Sequence, residues 1–325
     1  MIKDLATAQE IYLKIHNSSN ILVITHKNPD GDGLGVLSAL AFYLKSLDKK
    51  YQLFCLDQVP ESCKFLPLMH EVSYDINIFK QDKYDLIIVL DSGSLDYAGV
   101  YTLMESIVYT SYIINIDHHK TNDKFGNLNL VIESASSASE IMYDLFRLWK
   151  VSITKDMATS LLNGIIFDTG VFSNAGTTLG SLKAASHLLN LGARHKEINE
   201  NFIRNKSLNL LKLWGLAFER LEYNSKYQIA YTILTYQDVE KFDLEEGASE
   251  GLSNFFNELA GAKITMVLYE KEPGVIKGSL RTTFNDVDVS ALAKAWGGGG
   301  GHQKAAGFTI SGTLVYNDNK WKIIK

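Results

Sequence analysis

Unbroken apolar runs recur through the first half of the chain: ILVITH (21–26), YQLFCLD (51–57), DLIIVLD (85–91) and SYIINID (111–117). They are rich in Ile, Val and Leu and mostly lack a polar residue at every second place, which is the pattern of a strand covered on both faces. GVLSALAFYLKSL (35–47) follows the first run with helical spacing, so strand, turn and helix succeed one another as in a parallel α/β unit. Helices are predicted over 137–150, 156–168 and 178–192, the last stopping at Gly192 as a helix C-terminus often does. A charged helical connection comes next. The alternation then restarts with strands over 227–235, 262–270 and 274–284, a short helix over 289–296 and a strand over 305–310. The pattern predicts an α/β N-terminal domain with a mostly parallel sheet over residues 1–194, a helical linker over 195–225, and a smaller α+β domain over 226–325. There is no internal repeat, and the one low-complexity stretch is the glycine run 297–301.

The first apolar run leads into THKNPDGDGLG, residues 25–35, a dense group of glycines and acids. It is not a dinucleotide-binding fingerprint, because Val36 stands where G-x-G-x-x-G requires its third glycine. It is not an EF-hand loop either. Counted from Asp30, the fifth and twelfth positions are Leu34 and Ala41, where calcium needs oxygen ligands. Taken alone, it reads as a polar turn between strand and helix, with glycines that let it bend.

Three other places change that picture. His26, Asp91 and Asp117 each stand at the C-terminal end of a predicted strand, the edge at which parallel α/β sheets bind ligands. His118 and His119 follow Asp117 directly, and Asp168 closes the apolar helix GIIFD. The isolated His16, His70, His187 and His195 lack such company and read as ordinary polar positions. Carboxylates with a minority of imidazoles suit manganese, magnesium or a similar divalent ion, and no cysteines are spaced to hold zinc. Two such ions about 3.5–4 Å apart activate a water and neutralise phosphate oxygens during in-line attack. Asp30 and Asp32, two residues apart on an extended turn, would each face a different ion.

Bulk properties then narrow the partners. The 325 residues, 46% hydrophobic with four prolines, suffice for two cored domains. A net charge of −5 argues against a broad footprint for long duplex nucleic acid but leaves room for nucleotide-sized anions. The N-terminal residues show no export signal and no apolar run is long enough to span a bilayer, so a cytoplasmic location and no membrane partner are expected. Cys55 and Cys63 would then be reduced packing residues.

The ordered set THKNPDGDGLG, VLDSGS, NIDHHKT, GIIFDTGVF and GGGGGHQKAAGF resembles the DHH phosphoesterase superfamily, named for the motif that stands here at 117–119. Together these segments span nearly the whole chain, and the last resembles the C-terminal domain of the family's oligoribonuclease and nucleotide-phosphatase branch. The resemblance implies two divalent ions, manganese foremost, with magnesium or another divalent ion as alternatives. His26 and Asp30 would hold one ion, Asp32, His118 and Asp168 the other, and Asp91 would bridge them. Asp117 would brace a neighbouring histidine, and His119 would face the substrate phosphate or support the attacking water. Arg281 and the run Gly298, Gly299, Gly300, Gly301 and His302 would bind substrate phosphate. Glycine amides and a bidentate guanidinium suit an anion. Five glycines precede His302 where the family commonly has four, which leaves open which amides take part. Ser136, Ser137 and Glu140 also match a family segment, although Ser137-x-x-Glu140 is by itself a helix capping box.

The implied activity is hydrolysis of very short RNA or DNA oligonucleotides to mononucleotides, or dephosphorylation of 3′-phosphoadenosine 5′-phosphate. A phosphodiesterase for linear or cyclic dinucleotides is the nearest alternative. A RecJ-like single-strand exonuclease and a non-catalytic nucleotide-binding regulator lie further off. A homodimer is the default assembly.

Overall fold

A computed structural model describes residues 2–81, 83–104, 111–202, 207–242, 251–256, 259, 261–318 and 320–324. The chain divides into two compact units, Met1–Asn205 and Lys206–Lys325. In the first, helix α1 (Leu5–Asn17) precedes β1 (Asn20–Ile24), α2 (Gly31–Ser46), β2 (Lys50–Phe54) and the two-residue β3 (Val72–Ser73). A single turn, α3 (Ile78–Gln81), leads to β4 (Leu86–Leu90), and two more, α4 (Leu95–Ala98) and α5 (Tyr101–Met104), follow it. Then come β5 (Tyr112–Asp117), β6 (Leu128–Val131) and the helices α6 (Ala138–Leu148), α7 (Lys155–Asp168), α8 (Leu179–Asn190) and α9 (His195–Phe202).

The six strands form one parallel sheet in the order β3-β2-β1-β4-β5-β6. The chain winds outward from β1 in one direction and from β4 in the other, so the topological switch lies between these two strands, where open α/β sheets hold ligands. Their unbroken apolar sequences follow from cover on both sides. Ile21, Val23, Ile88 and Leu90 face a core shared with α1, α2, α6, α7 and α8, whereas Leu22, Ile24, Ile87 and Val89 pack with Phe54, Phe79, Ala98 and Met104.

The strands predicted for this unit are all present with slightly shifted ends, and β3 and β6 are additional in it. One difference bears on function. Residues 25–30 form the expected polar turn, but residues 31–35 are already the first turn of α2, which starts at Gly31 and is capped by Asp30, whose Oδ1 accepts from Asp32 N (2.9 Å) and Gly33 N (3.1 Å). Its glycines serve close approach rather than bending. A methyl group at Gly31 would stand 2.7 Å from the Phe167 ring, at Gly33 2.3 Å from Thr25 Oγ1, and at Gly35 2.5 Å from the Ser160 carbonyl oxygen.

In the second unit, α10 (Leu208–Glu219), β7 (Glu222–Asn224), β8 (Ile229–Leu234), α11 (Tyr236–Lys241) and α12 (Leu252–Phe256) precede β9 (Ile264–Glu272) and β10 (Val275–Arg281). Helix α13 (Val289–Gly297), β11 (Gly300–His302), β12 (Ala305–Ser311) and the hairpin β13 (Thr313–Asn317) and β14 (Lys320–Ile324) complete it. Its mixed sheet runs β11-β12-β10-β9-β8-β7, with only β8 and β9 parallel. The fold is thus α/β with a parallel-sheet first unit and a smaller α+β second unit. The segment expected as a helical linker holds two helices, α9 in the first unit and α10 in the second, and its residues 203–206 lie outside the described ones.

The approach of α2 to α7 depends on Gly35, since the atom a side chain would strike is backbone. Gly35→Ala is expected to destabilise the protein by about 1–3 kcal/mol through overpacking, read as a lowered urea midpoint with unchanged slope.

Candidate metal centre

His26, Asp30, Asp32, Asp91, Asp117, His118, His119 and Asp168 converge at the C-terminal edge of the parallel sheet. Three groups of donor atoms lie within 4.8 Å of one another: His26, Asp30 and Asp91; Asp32, His118 and Asp168; and Asp91, Asp117, His118 and His119. Asp91 belongs to the first and third groups, His118 to the second and third. His26 Nε2 lies 3.5 Å from Asp91 Oδ2 and 3.6 Å from Asp30 Oδ1, and His118 Nε2 lies 3.5 Å from Asp91 Oδ1 and 3.1 Å from Asp168 Oδ2. Asp91 therefore offers one carboxylate oxygen to each side.

Local structure aims these side chains. Asp91 follows β4 with φ of 53°, a left-handed conformation that is costly for a residue with a side chain and recurs at functional sites. The His26 Nδ1 atom is 2.8 Å from the Lys27 carbonyl oxygen. Only a protonated Nδ1 makes that hydrogen bond, so Nε2 is the atom turned toward Asp30 and Asp91, and its lone pair becomes a ligand once its proton leaves. The two Asp32 oxygens accept from the backbone amides of Ala138 (2.6 Å) and Ser139 (3.0 Å) at the start of α6. A helix N-terminus is a favourable place for that buried charge.

The SASSASE segment holds this arrangement. Ser137 caps α6 through its hydroxyl, which accepts from Glu140 N at 3.0 Å, while Glu140 Oε2 accepts from Ser136 N at 2.8 Å. Thr178 donates to the same carboxylate. The capping account of these residues and a role at the site thus coincide, because the cap presents the amides that grip Asp32.

Asp117 is fully buried and braces His119: its Oδ1 meets His119 Nδ1 at 2.7 Å. Its Oδ2 accepts from Asn122 Nδ2 at 2.6 Å, and Asn122 also donates to the Ser92 carbonyl (3.2 Å) and to Asn115 Oδ1 (2.8 Å). Sequence reasoning missed Asn122, and also Tyr97, whose ring stacks on His26. Asn122 lies only five residues beyond Asp117, but a lone amide carries no spacing signal.

The electrostatics are those of tightly coupled acids and imidazoles. Burial opposes charge on His26, yet Asp30 and Asp91 outweigh it and push the imidazole up to about 12. His118 behaves alike: burial opposes, Asp168 and Asp91 prevail, and it too is pushed up to about 12. For Asp91 burial acts upward, but His118 and His26 hold it far below the usual carboxylate range. Burial, with the Asp91 charge adding to it against the pull of His118, pushes Asp168 up to about 6. Asp32 is raised by burial and by its neighbours Asp91 and Asp168. His119 is raised as well, the Asp117 carboxylate overcoming burial.

Two atoms test whether these residues fit metal ions. Asp91 Oδ1 and His118 Nε2 are buried and have no hydrogen-bond partner among the described residues, although buried polar atoms nearly always have one. Each belongs to a donor group, and carboxylates with fewer imidazoles suit hard divalent ions. The residues present fit.

In the second unit, strand register aligns Arg281 with Ala305 and Ala305 with His302 across β10, β12 and β11. The His302 side chain lies outside the described residues. The glycine run is built differently from a continuous anion wrap. The amides of Gly298 and Gly299 donate to Lys294 and Ala293 at the end of α13, and Gly300 and Gly301 pair with Gly307 and Ala306 in β11. Gly298, with φ of 65°, is the left-handed cap of α13. Among the described residues no helix is long and apolar enough to cross a membrane.

The chain matches two domain families, DHH family, N-terminal domain, over residues 20–165 and DHHA1 domain over residues 225–323. It is 30% identical over 292 residues to the Thermus thermophilus protein named bifunctional oligoribonuclease and PAP phosphatase NrnA, covering 90% of this chain and 84% of that one. The Bacillus subtilis protein of the same name is 26% identical over 310 residues, 93% of this chain and 92% of its own. The crystal structure of an exopolyphosphatase-related protein from Bacteroides fragilis matches with a TM-score of 0.88 at 24% identity, over 96% of this chain and 94% of that one, and so shares the fold. With both domains in order and a 30% identical relative along most of its length, the chain belongs to the DHH family of phosphoesterases and is a hydrolase.

Proposed function

We propose that the protein hydrolyses very short oligonucleotides to mononucleotides and removes a phosphate from 3′-phosphoadenosine 5′-phosphate, using two divalent ions. The observation that carries this reading is the placement of Asp91 at the switch point, with one oxygen toward His26 and Asp30 and the other toward His118 and Asp168. His26, Asp30 and Asp91 would hold one ion, and Asp32, His118, Asp168 and Asp91 the other. Manganese is the ion of choice on donor chemistry. When bound, two such ions neutralise phosphate oxygens and make a water more acidic. Substrate class follows the activity that the relatives are named for, since they align over 90% and 93% of the chain.

The protein's own groups do the remaining work. Asp117 fixes the tautomer and orientation of His119, and its charge keeps that imidazole protonated to higher pH, so that His119 can donate to a phosphate oxygen. In the second unit Arg281 and the glycine run 298–301 would bind a phosphate, with His302 beside them in register. Only backbone donors left over from the α13 cap and the β11 pairing would take part.

A panel of diadenylate, a pentanucleotide, a long single strand, 3′-phosphoadenosine 5′-phosphate and pyrophosphate, assayed with manganese and with chelator, tests the reading. Metal-dependent turnover of diadenylate and the bisphosphate ahead of the long strand is expected, and preference for the long strand would overturn it. Asp91→Ala should abolish turnover while the protein stays folded by circular dichroism. Full activity in that variant would refute the two-ion site. Asp117→Asn, which weakens the hold on His119, should lower kcat/KM about 10- to 100-fold.

A pH dependence follows from the shifts. In metal-free protein His26 and His118 are raised, so their stabilising pairing is complete below about pH 6.5 and fades as pH climbs toward about 12. Asp91 is lowered, so its contribution is present above about pH 4 and lost below it. Asp168, raised to about 6, favours folding only at low pH and becomes a burden as pH rises through that value. The chelated protein should therefore melt highest near pH 4, lose stability toward about pH 6 as Asp168 ionises, and lose more above about pH 6.5. Manganese must displace protons from His26 and His118, so at pH 7 calorimetry in buffers of different ionisation enthalpy should record proton release, and affinity should tighten with pH.

A further inference from the structure

One aromatic at the rim of the centre has no part in the donor groups. Tyr97 ends 46% exposed on the single turn α4, its ring 5.1 Å from that of His26 at an interplanar angle of 26°, and 6.2 Å from that of His119. His26 does not need this ring for its orientation, being 3% exposed with Nδ1 already anchored on Lys27. The tyrosine is nevertheless firmly mounted. Ser94 caps its amide at 3.0 Å, and its carbonyl accepts from Lys27 N at 3.4 Å. Gly99 ends the turn in a left-handed conformation so close to Leu56 that a methyl group there would stand 2.7 Å from Leu56 Cδ2. An aromatic side chain on an anchored backbone thus stands beside the imidazoles, and the residue is nearly half exposed.

We propose that Tyr97 is a stacking platform for the nucleobase next to the scissile phosphate, an inference that rests on the short-oligonucleotide reading above. A phosphate at the donor cluster brings its attached nucleoside against whatever lines the rim, and the lining beside His26 and His119 is this ring. Stacking holds any base, since every base has a π-face, and it needs no hydrogen-bond readout. That suits an enzyme that must accept short fragments of any sequence. Tyr97 is accordingly a binding residue whose contribution appears in KM, distinct from the residues that hold ions.

Steady-state kinetics with Tyr97→Ala and Tyr97→Phe test this, using diadenylate and a phosphodiester dimer in which tetrahydrofuran spacers replace the nucleosides. Tyr97→Ala should raise KM for diadenylate about ten- to a hundredfold with kcat little changed, and preference for diadenylate over the spacer dimer should shrink by the same factor. Tyr97→Phe should restore both, and manganese affinity by calorimetry should match the parent. An equal loss on both substrates, or a loss of manganese affinity, would show that the ring only covers His26 and would overturn the proposal. Failure of Tyr97→Phe to restore KM would overturn it too, by assigning the effect to the hydroxyl. A parent enzyme that ignores diadenylate would instead bring down the underlying functional reading, and this inference with it.

Discussion

Five carboxylates, those of Asp30, Asp32, Asp91, Asp117 and Asp168, are gathered with three imidazoles at one edge of the sheet, and most of the site's construction manages their mutual repulsion. Each is met by a different positive partner. Asp30 is spent partly on the amides that begin α2, Asp32 on those that begin α6, and Asp117 on His119 and Asn122. Among the described residues, Asp91 and Asp168 are answered by imidazoles, those of His26, His118 and His119 for Asp91 and that of His118 for Asp168. Positive charge brought from outside would relieve this pair most, which is the physical reason to expect ion binding to release protons here.

The same management explains the packing of α2 and α7. Helix N-termini can solvate a carboxylate only if the backbone itself comes close, and backbone comes close only where side chains are absent. Gly33 lets α2 start against Thr25 and His26, and at Gly164 a methyl group would meet Asp32 Oδ1 at 2.4 Å and Ser139 Oγ at 2.1 Å. Small residues here therefore do electrostatic work by allowing dipoles to approach, and the interior of α7 keeps a glycine despite its helical cost.

Where burial is uniform, the sequence was legible. The strands β1, β4 and β5 read as continuous Ile, Leu and Val because both faces are covered, and from them the positions of His26, Asp91 and Asp117 on one edge followed. Local chemistry decided the rest and was harder to read. The strands β3 and β6 are two and four residues long at the sheet margins, too short for a periodic signal. The start of α2 was mistaken for a bending turn because Gly-Asp-Gly has poor helix propensity, which tertiary contact with Phe167 and Ser160 overrides. The glycine run after α13 looked like a free anion loop, whereas two of its amides finish a helix and the rest extend a sheet.

Asn122 and Tyr97 show the limit of pattern reading most clearly. Neither has a periodic partner, and each acquires its place only because the chain after β5 folds back over Ser92 and α4 stands beside β1. Asn122 gains its role from setting the two hydrogens of its Nδ2 among three acceptors, the Ser92 carbonyl, Asn115 and Asp117, a convergence visible only in three dimensions. That network ties the end of β5 to the turn after β4, so the orientation of His119 and the left-handed backbone of Asp91 are set by one connected set of hydrogen bonds. The proposed substrate rim and the donor groups beneath it are therefore tied to the same strand ends, and motion there would misalign both together.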